Sequence, residues 1–211
     1  MYLLCTDNFN NKLITGSRQL ADRDIFTWLD STRVAAKGDV HRAASIVADG
    51  LCGAVADPII RNAQEARQLK VIGDWLKAKG YRYLPPGSGV KFSQMSSGTF
   101  CYRLNIPVNL DGMAKAISIP VDVAVKPLKG PAAALPLFIE AKSAGDFTNV
   151  NKRRKEEATK MGQLRQKFGA NVRYVLFLCG YFDSGYLGYE ASEGIDWVWE
   201  HRRDDLAEFG L

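Results

Sequence analysis

Two acidic residues and a lysine lie in neighbouring segments that alternate between apolar and polar side chains. Asp122 belongs to the first segment, and Glu140 and Lys142 belong to the second. Alternation with a period of two predicts β-strands with one buried face. If residues 128–134 connect the two strands, Asp122 lies across from Glu140, because both are equally distant from Pro131. The three polar groups would then meet on one face of a sheet.

This group of side chains could hold a metal ion. Two close carboxylates repel each other and are costly to bury unless a cation lies between them. A hard divalent cation such as Mg²⁺ prefers oxygen ligands, so Asp122 and Glu140 are candidate ligands. Lys142 could offset the negative charge that develops when a phosphodiester is attacked. The alternative is an exposed sheet face whose charges form ordinary surface ion pairs.

The elements that must position these residues follow from hydrophobic periodicity and from capping residues. In chain order, the sequence predicts helices capped by Ser17 and Asp39, a helix over 57–80 opened by Asp57-Pro58 and ended by Gly80, strands over 99–108, 117–126 and 135–142, a helix over 152–168, and a strand over 172–179. The helix over 152–168 is predicted to have one apolar side, which consists of Ala158, Met161, Leu164 and Phe168. Its charged residues are expected to lie elsewhere on the helix. Mixed α/β architecture is expected.

Length and composition fit one soluble globular domain. The chain has 211 residues, of which 46% are hydrophobic and 24% charged, with a net charge of +5. No unbroken apolar run approaches the length of a membrane span, and the first residues lack the basic region of a signal peptide. We therefore expect a cytoplasmic protein without a membrane segment. No Walker A loop and no GxSxG elbow is found, which argues against NTPases and serine hydrolases.

A basic segment directly follows the strand that carries Glu140 and Lys142. Its members are Asn149, Asn151, Lys152, Arg153, Arg154 and Lys155. Arg and Lys neutralise phosphates, and Arg or Asn can also read base edges. Basic residues are unfavourable at a helix N-terminus unless something negative faces them, which favours DNA contact over a merely solvated helix start. Contact with phosphates is favoured over base reading, since most protein–DNA hydrogen bonds go to the backbone.

The spacing of these residues resembles a known nuclease motif. Pro120 and Asp122, followed after 17 residues by Glu140-Ala141-Lys142, resemble the PD-(D/E)xK nuclease superfamily. Three longer stretches, 57–65, 138–149 and 176–183, resemble the XamI-like type II restriction endonucleases. The likeness runs from about Ala56 to the C-terminus.

The resemblance implies a fold. An α/β, restriction-endonuclease-like αβββαβ core with a mixed central sheet is expected, preceded by an N-terminal helical segment. Residues 1–55 would be that helical segment, packed on the core. Residues 56–211 would be the nuclease core, with an acidic and aromatic C-terminal part.

The resemblance also implies roles for single residues. Asp122 and Glu140 would hold Mg²⁺, with the Ala141 carbonyl as a further ligand, and Lys142 would orient the attacking water. Glu65 lies on the helix before the hairpin, where many relatives place a glutamate close to the metal. An ion pair of Glu65 with Lys70 or Arg61 is the alternative, since the spacing to Arg61 suits neighbours on one helix face.

The function implied is that of a type II restriction endonuclease. Such an enzyme hydrolyses both strands of double-stranded DNA at a short site, with Mg²⁺, and leaves 5′-phosphate ends. A palindromic site asks for a homodimer, and a cognate DNA methyltransferase would protect host sites. Two alternatives stay open: a repair or junction-resolving nuclease of the same superfamily, and a non-catalytic DNA-binding module whose acidic pair is structural.

Overall fold

The structure, a computed structural model, describes residues 21–29, 34–86, 91–109, 115–131, 134–143 and 150–211, with the backbone alone at 150–153. The helices and strands are α1 (Lys37–Ala78), β1 (Arg82–Tyr83), β2 (Thr99–Val108), β3 (Ile117–Lys126), β4 (Leu137–Ser143), α2 (Val150–Phe168), β5 (Arg173–Cys179), α3 (Ser184–Ser192) and β6 (Asp196–Trp199). Two 3₁₀-helices cover Phe92–Gln94 and Glu200–Phe209. The chain divides into two compact units, residues 1–59 and 60–211.

All six strands form one sheet, in the order in which they occur along the chain. Strands β2, β3 and β4 pair antiparallel, whereas β4, β5 and β6 pair parallel, with α2 between β4 and β5. The predicted mixed α/β class and the order of helix, three strands, helix and strand are therefore confirmed. Because β4 lies between an antiparallel and a parallel neighbour, it is held on both edges.

The sheet buries apolar side chains on both faces. On β4, Phe138 belongs to the core on the side of α2, and Ile139 belongs to the core on the side of α1. Leu164 of α2 packs in the first core, and Ile72 of α1 packs in the second. Each fully buried side chain of this size contributes about 1.5–3 kcal/mol to folding, so β4 is fixed in place by packing from both sides.

Helix α1 differs from the prediction of two separate helices. It runs without a break from Lys37 to Ala78, with Pro58 inside. An internal proline removes one hydrogen bond, at about 3 kcal/mol, whereas ending the helix there would leave four N–H and four C=O groups to be satisfied on either side. The predicted end is confirmed, since Gly80, two residues after the last helical residue Ala78, has a φ of 89°.

The helix predicted after Ser17 is wrong over residues 21–29, which form turns. The backbone N–H of Asp24 donates to the Oδ1 of Asp22. Aspartate side chains that bond the nearby backbone compete with helix formation. Ser17 itself lies outside the described residues.

The expectation of no membrane-length segment also needs a correction. By length and composition alone, α1 is long and apolar enough to cross a membrane, a test that core helices of soluble proteins also pass. Asp49 and Asp57 interrupt the apolar residues of α1, so its sequence contains no long unbroken apolar run, although its average hydropathy is high.

Candidate active site

Strands β3 and β4 bring the predicted acidic pair together. Their backbone register pairs Val123 with Ile139 and Val125 with Leu137. The next position along this register places Asp122 beside Glu140, as the alternation of the sequence predicts. Directly opposite residues of an antiparallel pair point to the same face, so both carboxylates lie on one side of the sheet.

The two strands separate at this point. Within the described residues of β3 and β4, backbone pairing ends at Val123 and Ile139. Beyond it, β3 pairs only with β2, and β4 pairs with β5. The N–H of Ala141 donates to the Oδ2 of Asp122 at 2.8 Å, where a main-chain carbonyl would otherwise accept. The carboxylate therefore caps the end of the pairing and is held beside β4.

Burial makes the acidic pair electrostatically unusual. Burial, followed by the nearby charge of Glu140, raises the pKa of Asp122 to about 6. Burial also opposes the charge of Glu140, but Lys142 and Lys160 outweigh it, and the pKa of Glu140 lies below its usual value. Glu140 is only 6% exposed. The alternative of an exposed sheet face with surface ion pairs is therefore wrong.

Lys142 lies between two carboxylates. Its Nζ is 3.1 Å from the Oε1 of Glu140 and 2.7 Å from the Oε1 of Glu157. Burial alone would lower the pKa of Lys142, but Glu157 and Glu140 outweigh that effect and raise the pKa. The side chain is therefore an ammonium ion at neutral pH. It can supply positive charge and donate hydrogen bonds, and it cannot serve as a general base in this arrangement.

The residues around Asp122 fit a divalent cation. The Oε2 of Glu140 is buried and has no hydrogen-bond partner within the part of the chain that the structure describes. A buried oxygen without a partner is costly, and a cation between it and Asp122 would satisfy both groups. The described residues contain no cluster of three or more His, Cys, Asp or Glu side chains suited to a metal. Two carboxylates suffice for Mg²⁺, which keeps several of its waters.

Glu65 lies near this pair and is bound by a residue that the sequence did not suggest. Its Oε1 accepts from the Nη2 of Arg103 at 2.9 Å. Lys70, one of the two partners considered, pairs with Asp74 instead. Arg103 lies in β2 between Tyr102 and Leu104, which pair with Val123 and Val121 on either side of Asp122, and it has a φ of 51°. A left-handed backbone at arginine costs about 1–2 kcal/mol, and strained residues of this kind often lie at functional sites.

The structure describes only part of the basic segment. Asn149 and the side chains of Asn151, Lys152 and Arg153 lie outside the described residues. The guanidinium of Arg154 stacks over the ring of Tyr189, 4.9 Å from its centroid, and Lys155 is exposed to solvent. Of the predicted DNA contacts that can be placed, Lys155 thus points outward and Arg154 packs on the protein.

Sequence reasoning missed two charged residues of this site. Glu157 and Lys160 of α2 point at Glu140 and Lys142, together with the apolar Met161 and Leu164. The prediction that the charged residues of α2 lie away from its apolar side is wrong for these two. They share the spacing i, i+3, i+4, i+7 with Met161 and Leu164, which is that of one helix face. The signal in the sequence is that Glu157 and Lys160 occur on the same helix face as the apolar Met161 and Leu164.

Comparison with known proteins relates the chain to restriction enzymes. The type II restriction enzyme SalI of Streptomyces albus G is 52% identical over 191 residues, which make up 90% of this chain and 60% of that enzyme. The chain thus spans about 60% of the length of this curated relative. Protein VC1899 from Vibrio cholerae matches 53% of this chain and 26% of its own with a TM-score of 0.34 and 16% identity, a likeness that says nothing about function.

The family model gives the assignment. The model described as XamI restriction endonuclease matches residues 6–199, which include both strands with the acidic pair and all of α2. This match covers far more of the chain than the short motif formed by Asp122, Glu140 and Lys142. The chain belongs to the XamI restriction endonuclease family.

Proposed function

We propose that this protein is a type II restriction endonuclease that hydrolyses both strands of double-stranded DNA at a specific short site, with Mg²⁺, and leaves 5′-phosphate ends. The observation that carries the proposal is the meeting of Asp122, Glu140 and Lys142 where β3 and β4 separate. The family membership and the 52% identity to SalI support it.

The roles of the residues follow from their charges. Asp122 and Glu140 would hold Mg²⁺, with the Ala141 carbonyl as a further ligand, and the bound cation would supply Lewis acidity at the scissile phosphate. Lys142, as an ammonium ion, donates to the attacking water or to a phosphate oxygen and offsets the charge that develops on the phosphate. Glu65 adds negative charge on the side of Asp122, where Arg103 holds it.

DNA would approach from the side of the basic segment. Asn149, Asn151, Lys152, Arg153, Arg154 and Lys155 are proposed to contact the DNA, mainly at its phosphates. Lys155 supports this, because it is exposed. We further propose a homodimer on a palindromic site, a cognate methyltransferase, and a cytoplasmic location, as such a system requires.

Cleavage of plasmid DNA by the purified full chain tests the proposal. With Mg²⁺ we expect discrete fragments, and with EDTA no cleavage. A smear of products or a preference for branched DNA would instead indicate a repair or junction nuclease of the same superfamily. DNA binding in EDTA without any Mg²⁺-dependent cleavage would indicate a non-catalytic binding module.

The substitution Lys142→Ala tests the role of the lysine. We expect the single-turnover cleavage rate to fall at least about 100-fold, because a charge aimed at the reacting phosphate is lost. Lys70→Ala is the matched control, since Lys70 is exposed and pairs with its neighbour Asp74 on the surface of α1. Equal cleavage by Lys142→Ala and Lys70→Ala would contradict the assignment.

A further inference from the structure

Four charged side chains form a closed ring beneath the sheet. Glu140 and Lys142 come from β4, and Glu157 and Lys160 come from α2. Both ammonium groups contact both carboxylates: Lys142 at 3.1 and 2.7 Å, and Lys160 at 2.6 and 3.8 Å, from Glu140 and Glu157 respectively. Each lysine is thus paired with two carboxylates, one of which is closer than the other.

Glu157 is the fixed member of this ring. Its side chain is fully buried, and its Oε2 accepts from the hydroxyl of Tyr174 while its Oε1 faces Lys142. The helix around it is anchored in the core by Met161 and Leu164. Within the described residues Oε1 accepts no hydrogen bond, so it holds Lys142 as an ion pair, whereas Oε2 is fixed by Tyr174. Glu157 keeps its position, because moving a buried carboxylate away from these groups would leave its charge without partners.

Lys160 is the least firmly held member. Its side chain is 21% exposed, and it approaches Glu140 closely while remaining 3.8 Å from Glu157. A cation at Asp122 and Glu140 would repel both ammonium groups. Lys142 can stay, because Glu157 binds it at 2.7 Å. Lys160 has no comparable second contact within the ring and lies closest to solvent.

From this geometry we propose that Glu157 is a positioning residue that keeps Lys142 beside the reacting phosphate, and that Lys160 is an exchangeable counter-ion of Glu140 which leaves when a divalent cation binds. The inference rests on the proposed nuclease function. It assigns different roles to Lys142 and Lys160, although both lysines contact Glu140.

Binding of Mn²⁺ alone, measured by isothermal titration calorimetry without DNA, tests the exchange. Lys160→Gln should bind Mn²⁺ about ten-fold more tightly than the wild type, because the competing charge is gone. Lys167→Gln is the matched control, with the same change of charge on an exposed position of α2, and should bind like the wild type. Unchanged or weaker binding by Lys160→Gln would overturn the exchange.

Single-turnover cleavage tests the positioning role. Glu157→Gln should cleave about 10- to 100-fold more slowly, as is typical when a partner behind a functional group is lost. Its affinity for Mn²⁺ and its Kd for DNA in Ca²⁺ should stay within about two-fold of the wild type. A rate equal to the wild type, or an equal loss in DNA binding, would overturn the role of Glu157.

Two controls keep these results interpretable. Glu208→Gln makes the same change at an exposed position of the C-terminal 3₁₀-helix and should cleave like the wild type. If Glu157→Gln does not fold, Tyr174→Phe, which removes only the hydroxyl that holds Glu157, should lower the rate in the same direction. If the wild type itself does not cleave DNA, the proposed function fails, while the Mn²⁺ titration still decides the exchange at Glu140.

Discussion

The two faces of the central sheet are built from different chemistry. On the side of α1, a continuous apolar core includes Ile72, Leu76 and Phe177. Its one fully buried polar neighbour on α1 is Gln68, whose amide donates to the carbonyl oxygens of Lys142 at 3.2 Å and Phe177 at 3.0 Å. The buried amide of Gln68 is thus satisfied by two main-chain carbonyl groups.

On the side of α2, the same sheet covers charges. Glu140, Glu157 and Glu190 are all buried there, together with two lysines that are mostly enclosed. Buried ion pairs seldom add stability over an apolar core of the same volume, but removing one partner is costly. The face of the sheet that packs on α1 therefore supplies stability. The face that packs on α2 gives up some stability, because it holds charged groups in a fixed geometry.

The largest effect should follow from Asp122→Asn. We expect cleavage to fall at least about 100-fold, because a candidate metal ligand loses its charge. Without metal at pH 8, the variant should be more stable than the wild type to urea. The fold raises the pKa of Asp122 to about 6, so the protonated carboxyl favours folding, and this stabilisation is lost as pH rises through 6. The asparagine side chain has no charge to bury, so the variant does not lose stability in this range. If Asp122→Asn were less stable than the wild type at pH 8, burial of this charge would not cost stability on the charged face.

Removing apolar volume from the opposite face should cost stability instead. Ile72 is fully buried, and Ile72→Ala should lower the free energy of unfolding by about 2–5 kcal/mol. Ile60 is 53% exposed on the same helix, so Ile60→Ala is expected to change it by less than about 0.5 kcal/mol. Urea titrations of both variants measure the difference, and equal losses would show that this core does not carry the stability.

Glu190 offers a pH-dependent test of the charged face. Burial, followed by the charge of Glu157, raises its pKa to about 7 from 4.5. Its stabilising contribution is therefore complete below pH 4.5 and is lost as pH rises through 7. Glu190→Gln should match the wild type near pH 4 and exceed its free energy of unfolding by up to about 3 kcal/mol at pH 9. A constant difference between the two proteins across this range would refute the shifted pKa.

The smallest of these effects is expected at the polar residue of the apolar face. Gln68→Leu leaves the carbonyl oxygens of Lys142 and Phe177 without the amide, at a cost of about 1–3 kcal/mol. Thermal unfolding measures it. Gln64→Leu, which removes only a contact with the hydroxyl of Ser143, is the milder comparison, and a greater loss there would reverse the expected order.

Much of the fold and part of the site could be predicted from sequence. Alternation in β3 and β4 fixes which side chains share a face, and the distance to Pro131 places Asp122 beside Glu140, because antiparallel register follows from the connecting loop. The buried strand β5 was also predictable, since strands covered on both faces are continuously apolar.

Other features depend on energies that a pattern does not show. The pattern of α2 predicts its charged residues away from the apolar side, because charged residues on a helix are usually exposed. Glu157 and Lys160 instead pack against Glu140 and Lys142 of β4, which compensate their charges. Asp57-Pro58 is typical of a helix start, although the helix continues through Pro58. Arg103 as the partner of Glu65 depends on a contact between residues 38 apart, which helix spacing cannot reveal.

The amide of Gln68 has one more consequence. It ties down the main chain of Lys142 from the side away from the charges. With the backbone clamped, the ammonium of Lys142 is kept between Glu140 and Glu157 from two directions, by its main chain and by its charge. Rearranging the centre around an incoming ion then falls to Lys160 on the neighbouring helix and requires no movement of β4.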